Sequence, residues 1–369
     1  MSLGDVGREH ILISNPTEDE FHISAKKLLT IFKKVGKPLA FSPFSTLLKG
    51  NWYKISMSNQ PYLVKLALRL AAGLEKMPPA SLEKHRTFIL SQQQADGGFS
   101  GREGGSDLYY TGFAVRSLGI LGGLEKQTCL ELSQFLKQFK LENLSTIDLL
   151  SWLYSALIIQ ASGGEDLLAS APEHWNTRVA LNLERLRTSD GGYAKSDQGA
   201  LGSTYHSFLV VLIYQMIGLE IPATNDLIQF IFDRQRDDGG FVEITPMKRS
   251  GTNPTAAAVA ILIILNAMDD ELKEDVRDFL TQVKSSEGGF QANTRIPFAD
   301  GLSTFTALLT AQDLDLTSLF DQMNFFKFMT EWLEFPTGGF RGASWDEQAD
   351  VEYTFYGLGV LALLANSPK

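Results

Sequence analysis

The stretch Asp238-Gly239-Gly240-Phe241 is one of five copies of a short motif in which two glycines precede an aromatic residue. The other copies are Asp96-Gly97-Gly98-Phe99, Asp190-Gly191-Gly192-Tyr193, Glu287-Gly288-Gly289-Phe290 and Thr337-Gly338-Gly339-Phe340. Their first glycines lie 94, 48, 49 and 50 residues apart, so the first interval is close to two periods. We expect a degenerate sixth copy near residues 140–146. A fixed period of this length predicts stacked supersecondary units.

Each unit holds two kinds of helix, as the unit between the third and fourth copies illustrates. Asn253 is a good N-cap residue, and Pro254 suits the first helical position. The stretch 255–267 that follows is apolar on almost every side, which predicts a helix buried all round. The stretch 270–284 carries one apolar stripe opposite a charged face, as a surface helix does.

This alternation of buried and amphipathic helices recurs along the chain. Buried helices are expected near 107–121, 148–161, 203–217, 254–267, 301–311 and 351–365. Amphipathic helices are expected near 81–94, 126–138, 174–187, 224–236, 270–284 and 317–333. Six inner and six outer helices predict an all-α fold, a closed α/α toroid.

Two further segments lie outside that pattern. The stretch 61–75 is a seventh apolar helix, which either plugs one end of the ring or replaces an inner helix. The stretch 17–36 is predicted to be an amphipathic helix outside the ring. We therefore divide the chain into a partly helical N-terminal extension, 1–60, and the toroid, 61–369.

The glycine motif has a structural role first. Glycines that follow a helix adopt positive φ and end it, and the aromatic ring then packs between neighbouring units. The motif thus specifies the fold rather than the chemistry.

Composition narrows the class of protein. A net charge of −10 and a pI near 5.1 argue against nucleic acid or an anionic membrane as a partner. The single Cys129 excludes an internal disulfide framework and fits a reducing compartment. The longest apolar run, 256–265, is too short to span a bilayer. We expect a soluble, cytoplasmic protein without a transmembrane segment.

These turns, at this spacing, resemble those of the β-subunit of protein prenyltransferases and of the related class II terpene cyclases. The resemblance covers roughly residues 60–369 and is strongest in the last two units. Gly288-Gly289-Phe290-Gln291, followed by Asp300-Gly301-Leu302-Ser303, looks like the family's turn and zinc segment. The stretch 350–357, which reads Asp-Val-Glu-Tyr-Thr-Phe-Tyr-Gly, looks like its final segment. The family's fold agrees with the toroid expected from the repeats.

The resemblance implies a zinc site that this chain does not complete. The family's ligands are an Asp, a Cys two residues later and a His in the last unit. Asp300 matches the first, but Leu302 and Tyr353 stand at the other two positions. A single carboxylate cannot make a four-coordinate site. We expect no zinc and no other resident cofactor, although Mg²⁺ could accompany a diphosphate substrate.

The family's diphosphate and acid residues are also largely replaced. Its pocket His falls near Ser250, its Tyr falls at Ser303, and only Arg295 lies near a family Arg. The cyclases' Asp-x-Asp-Asp acid motif is absent.

Polar residues at the starts of the inner helices are the remaining candidates for chemistry. They are Asp107, Asp148, Ser203, Asn253, Asp300 and Asp350. Each suits a capping role, and a ring of carboxylates at a cavity mouth also suits cation binding or acid catalysis, because crowding raises carboxyl pKa values. The candidate catalytic set is Asp300, Asp350, Glu352, Tyr353 and His206.

Candidate substrate-binding residues surround that set. Basic side chains in the loops after the glycines suit a phosphate, but acidic residues in the same loops bring the local charge close to neutral and favour a solvated rim. The candidates are Arg295, Lys248, Arg249, Asp107 and Tyr109.

Three functions fit this pattern. The first is a prenyltransferase-like or terpene-cyclase-like enzyme that holds an isoprenoid in an apolar cavity without a zinc–thiolate centre. The second is a non-catalytic lipid- or protein-binding module on the same fold. The third is a carbohydrate-active α/α toroid with paired carboxylates, which the glycine repeats disfavour. The resemblance also implies a possible protein partner similar to the family's α-subunit.

Overall fold

The computed structural model describes residues 60–316 and 322–366. Thirteen helices are assigned there, and we number them in chain order. They are α1 (Tyr62–Leu74), α2 (Pro79–Ser91), α3 (Leu108–Ile120), α4 (Lys126–Leu136), α5 (Thr146–Ala161), α6 (Trp175–Glu184), α7 (Thr204–Ile217), α8 (Thr224–Phe232), α9 (Thr252–Ile264), α10 (Asp270–Gln282), α11 (Gly301–Asp313), α12 (Gln322–Lys327) and α13 (Val351–Asn366).

Six of these helices form a closed inner ring. Each of α3, α5, α7, α9, α11 and α13 packs against the next, and α13 packs back against α3. The amphipathic helices α2, α4, α6, α8, α10 and α12 lie outside them, and a π-helical turn, Phe328–Leu333, extends α12. The predicted toroid of six inner and six outer helices is confirmed, with helix boundaries within a few residues of those expected. The expected start of the last outer helix, at 317, lies outside the described residues.

Helix α1 plugs one end of the ring and does not replace an inner helix. The Tyr62 hydroxyl donates to Asp313 Oδ2 at 2.6 Å, and Arg69 pairs with the same carboxylate at 2.7 Å. The Tyr62 amide donates to the Gln215 side chain at 3.0 Å. Gln215 and Asp313 lie at the C-terminal ends of α7 and α11, so α1 closes that end of the ring. The N-termini of the inner helices lie at the opposite end, which α1 does not cover.

The glycine motif forms a tight turn and not the helix cap that the sequence suggested. In the third copy, the residues on either side of the turn, Gln235 and Phe241, form an antiparallel bridge, and Phe241 bridges onward to Gly251. Gly239 has a φ of +83°. Positive φ at the first glycine is confirmed, but the turn begins several residues after α8 has ended. In the fourth copy the same pairing is long enough to form two short antiparallel strands, β1 (Phe290–Gln291) and β2 (Ala299–Asp300).

The first glycine of each turn lies against the backbone of the next outer helix. A Cβ atom on Gly239 would lie 2.1 Å from the Asp275 carbonyl oxygen in α10. The last copy closes the ring, because a Cβ on Gly338 would lie 2.1 Å from the Lys84 carbonyl oxygen in α2. Only glycine permits both the φ value and this approach.

The aromatic residue of each copy joins its turn to the inner helix that follows. The Phe241 amide donates to Thr255 Oγ1 at 2.9 Å, and the ring is fully buried. The same amide–hydroxyl bond joins Phe99 to Thr111, Tyr193 to Ser207, Phe290 to Thr304 and Phe340 to Thr354. The aromatic residue therefore fixes the start of an inner helix relative to its turn.

The degenerate copy near 140–146 contains a 3₁₀ turn, Leu141–Asn143. The inner helix of this unit, α5, is joined to the preceding segment by a different bond, in which the Trp152 indole donates to the Leu136 carbonyl oxygen at 2.9 Å. A pocket of about 350 Å³ opens here on the outside of the toroid, and its lining includes Trp152 and Trp175. None of the candidate site residues lines this pocket.

Two expectations concern residues that the structure does not describe. The extension 1–60, apart from its last residue, and the predicted helix 17–36 lie outside the described residues. Among the helices of 60–316 and 322–366, none combines the length and the apolar character that a bilayer-spanning segment needs.

The glycine contact predicts a difference between two Gly→Ala variants. Gly218, the C-cap of α7, also has positive φ but has open space around it, so Gly218→Ala should cost only the left-handed strain of about 1–2 kcal/mol. Gly239→Ala adds a clash with Asp275 and should cost about 1–3 kcal/mol more. Urea denaturation measures both values. Equal losses of stability would contradict the contact.

Candidate ligand-binding site

The N-termini of the inner helices meet at the end opposite α1, and several begin on a side-chain cap. Asp107, Ser203 and Asp300 each accept a hydrogen bond from the backbone amide three residues on. Two expected caps are wrong. Ser145 and not Asp148 caps α5, and α9 begins after Gly251, so that Asn253 lies inside its first turn. In each case the helix starts earlier than the expected cap.

Asp350 takes part in an ion-pair network that joins the first unit to the last. The Arg102 Nε donates to Asp350 Oδ2 at 2.9 Å, and Arg102 Nη1 donates to Asp346 Oδ1 at 2.7 Å. The Tyr353 amide also donates to Asp350 at 2.8 Å, and the Asp350 side chain is only 5% exposed. Burial raises the pKa of Asp350, and Arg102 opposes that rise. Asp350 therefore caps α13 and also joins the last unit to the first, at the end of the ring where the inner helices begin. We call this end the mouth.

Glu352 lies in the same turn and accepts two phenolic hydrogen bonds. The Tyr109 hydroxyl donates to Glu352 Oε1 at 2.8 Å, and the Tyr356 hydroxyl does so at 3.3 Å. Burial raises the pKa of Glu352 despite these donors. The structure thus brings Tyr109, Asp350 and Glu352 together across the contact between α3 and α13.

Aromatic rings line the ring interior next to Glu352. Tyr109 packs edge-on against Phe113 at 5.0 Å, and Phe113 packs edge-on against Tyr356 at 5.4 Å. Phe305 of α11 reaches Tyr356 at 5.6 Å. Tyr353 lies 6.2 Å from Tyr356. Three inner helices, α3, α11 and α13, therefore contribute to one continuous aromatic wall, in which the rings of Phe113, Phe305 and Tyr356 are buried.

His206 belongs to a separate network on α7. Its Nδ1 lies 3.0 Å from Ser203 Oγ, and Ser203 also donates to Glu243. The carboxylate contacts the serine and not the histidine, so the arrangement is not that of a nucleophilic triad. Burial, with the Lys195 charge, lowers the pKa of His206. The structure does not place His206 in contact with the other four candidate catalytic residues.

The candidate basic residues remain on the surface. Lys248 and Arg295 are exposed, and Arg249 donates to Thr294 Oγ1 at 2.7 Å in the neighbouring loop. Asp107 is also exposed beyond its capping bond. Of the predicted binding residues, Tyr109 alone contacts a member of the catalytic set.

The positions that correspond to the family's zinc ligands do not fit the metal. Asp300 accepts from both the amide and the hydroxyl of Ser303 at 2.7 Å. Leu302 offers no donor atom. Burial, followed by the charges of nearby carboxylates, raises the pKa of Tyr353 to about 12, so its phenol stays protonated at neutral pH. Within the described ranges, no group of three or more His, Cys, Asp or Glu side chains is placed to hold a metal ion.

Arg116 of α3 is a site residue that the sequence reasoning missed. Its guanidinium lies 5.2 Å from the Phe113 ring and 5.1 Å from the Tyr154 ring, inside the toroid. A simple signal marks it, since Arg116 is the one Lys or Arg within the six inner helices. Arg102 is a second residue absent from the predicted site, because its partners are about 250 residues away in sequence.

The whole toroid matches a family model. Residues 48–153 and 145–368 match the prenyltransferase alpha-alpha toroid domain, and the chain belongs to that family. The β-subunit of geranylgeranyl transferase type-2 from Candida albicans is 29% identical over 233 residues. That match spans 58% of this chain and 64% of the relative's length, which is less than two thirds.

Solved structures share the fold at low sequence identity. Protein geranylgeranyltransferase-I of Candida albicans, complexed with GGPP, has a TM-score of 0.62 and 16% identity, covering 76% of this chain and 90% of that chain. A type II terpene cyclase from Scytonema, in complex with geranylgeranyl dihydroxybenzoate, has a TM-score of 0.53 and 14% identity, covering 82% and 98%. These similarities establish the architecture that the repeats predicted.

Purified protein is expected to carry no stoichiometric zinc, because Leu302 has no donor atom and a protonated phenol is a poor ligand. Elemental analysis after gel filtration measures this directly. About one zinc per chain, lost in Asp300→Ala but kept in the control Asp148→Ala, would contradict the expectation.

Proposed function

We propose that this protein is a prenyltransferase-like enzyme that binds and processes an isoprenoid inside the toroid, without a zinc–thiolate centre. The isoprenoid is a polyprenyl diphosphate or a terpenoid. The observation that carries the proposal is the aromatic wall formed by α3, α11 and α13 beneath a polar mouth. Apolar walls with a few convergent polar groups are typical of small-molecule sites.

Partly accessible residues on the inner helices support a recess behind the mouth. They recur one turn apart, as Tyr205 and Phe208 on α7 and Leu302 and Thr306 on α11. Outer helices and neighbouring inner helices cover the other faces, so the accessible stripes face the ring interior. Tyr62 of the plug packs edge-on against Phe208 at 6.1 Å and supplies a floor.

The mouth supplies polar groups suited to a reactive head group. Asp300, Asp350 and Glu352 all have carboxyl pKa values raised by burial, so each holds a proton at higher pH than an exposed carboxyl does. Exposed Lys248 and Arg295 lie in the loops of the adjoining units and can meet a diphosphate. In this proposal the carboxyls act as acids and the loops hold the anion.

The second candidate is a non-catalytic module that binds a lipid or a protein partner on the same fold. Two observations favour it. Two of the three positions of the family's zinc ligands hold Leu302, which has no donor atom, and the protonated phenol of Tyr353. Arg102 at the mouth is already neutralised by Asp346 and Asp350. Ligand binding without turnover is the result that this alternative predicts.

Filling the recess is expected to abolish binding. Leu302→Trp adds a large ring to the accessible stripe of α11 and should weaken binding of a fluorescent geranylgeranyl diphosphate analogue at least tenfold. Leu130→Trp, on the exposed face of α4, is the matched control and should bind as wild type does. Fluorescence anisotropy measures both, and equal binding by the two variants would contradict an interior site.

The mouth carboxylates can be tested in the same assay. Asparagine caps a helix about as well as aspartate, so Asp300→Asn and Asp350→Asn remove charge while keeping the caps. If these carboxyls act on the ligand, diphosphate release or binding falls in both variants. The melting temperature changes little in Asp300→Asn but falls in Asp350→Asn, which also breaks the buried ion pair with Arg102. Variants that bind and turn over like wild type would remove both residues from the proposed site.

A further inference from the structure

Arg116 places one positive charge beside the aromatic wall, which also holds the Glu352 carboxyl. It lies nine residues after Asp107, and helical side chains point back towards the helix N-terminus, so its guanidinium extends towards the mouth. The other five inner helices contain no Lys or Arg at all. The position therefore differs from every other unit of the repeat.

The Arg116 charge has no anionic partner in the described chain. No hydrogen bond or ion pair joins it to any residue of 60–316 or 322–366, and its Nε is fully buried without an acceptor. The rings of Phe113 and Tyr154 flank it at 5.2 and 5.1 Å. Arg116 as a whole is only partly buried, and cation–π contacts leave its N–H donors without acceptors.

Two phenols also lack a hydrogen-bond partner among the described residues. The Tyr154 ring lies 5.1 Å from the Arg116 guanidinium, and Tyr205 of α7 lies near enough for the Arg116 charge to oppose the rise that burial causes in its pKa. Tyr154 is 6% exposed, and neither its hydroxyl nor that of Tyr205 hydrogen-bonds to a described residue. Tyr205 keeps 39% of its surface accessible, yet burial is the main cause of its raised pKa, as expected for a side chain that lines a recess. The Arg116 charge acts on both phenols and opposes the rise of their pKa values.

We propose that Arg116, Tyr154 and Tyr205 form an anion site inside the toroid that binds the carboxylate of an isoprenoid-sized acid. The proposal rests on the proposed function for the apolar part of the ligand and adds the identity of its polar end. A planar guanidinium with two hydroxyl donors matches a singly charged, planar carboxylate. A diphosphate carries more charge than one arginine neutralises. In the proposed function it is held by the exposed basic residues of the loops and not by Arg116.

Comparing an isoprenoid acid with the corresponding alcohol tests the anion site separately from the apolar recess. Geranylgeranoic acid and geranylgeraniol share the apolar chain and differ in the carboxylate. Wild type is expected to bind the acid about 10- to 100-fold more tightly at pH 7.5, the factor that charge-assisted hydrogen bonds supply. In Arg116→Met the preference should disappear while the alcohol binds unchanged. Arg277→Met, on the outer helix α10, is the control for loss of a positive charge.

Isothermal titration calorimetry of both ligands against the three proteins gives distinct outcomes. Equal affinity of wild type for the acid and the alcohol, unaffected by Arg116→Met, overturns the anion site and leaves the isoprenoid recess standing. Failure of wild type to bind the acid, the alcohol and geranylgeranyl diphosphate overturns the proposed function and this inference with it. If Arg116→Met loses the alcohol as well, the double variant Tyr154→Phe and Tyr205→Phe decides, because it removes two donors and keeps the charge. A retained preference in that variant would contradict the proposed donor set.

Discussion

The fold depends on one repeated contact, the approach of a glycine to a backbone carbonyl oxygen of the next outer helix. At Gly239 and Gly338 there is no room for a Cβ atom, and both residues have positive φ. The last of these contacts, from Gly338 to Lys84, joins the final unit to the first. The helical hairpins form a closed ring because the glycine turn of the last unit packs against the outer helix of the first unit.

Closure has consequences for the mouth of the ring. His85 of α2 accepts the Gly339 amide at 3.0 Å and stacks on Phe340 at 4.8 Å, which fixes the last turn and the start of α13. Arg102 then reaches Asp350 from the first unit. Asp350 and Glu352 of the last unit are held by Arg102 and Tyr109 of the first unit, so this arrangement forms only when the ring is closed.

The sequence was sufficient for the architecture because the period repeats five times and each unit alternates a buried with an amphipathic helix. It was less informative where a side chain acts through a distant residue. Asp148 and Asn253 were assigned as caps on residue type, but each helix starts earlier on a neighbour. Arg102 and Arg116 were missed for different reasons. The partners of Arg102 lie in the last unit, whereas Arg116 is distinguished by having no charged partner within 60–316 and 322–366.

Photo-crosslinking with a benzophenone analogue of geranylgeranyl diphosphate, followed by peptide mass mapping, tests the interior site most directly. The pocket around Trp152 and Trp175 offers a competing apolar surface on the outside of the toroid. The account predicts adducts on the inner helices α3, α7, α11 and α13, competed by unlabelled geranylgeranyl diphosphate. Competable adducts confined to the outer pocket between α4 and α6 would contradict it.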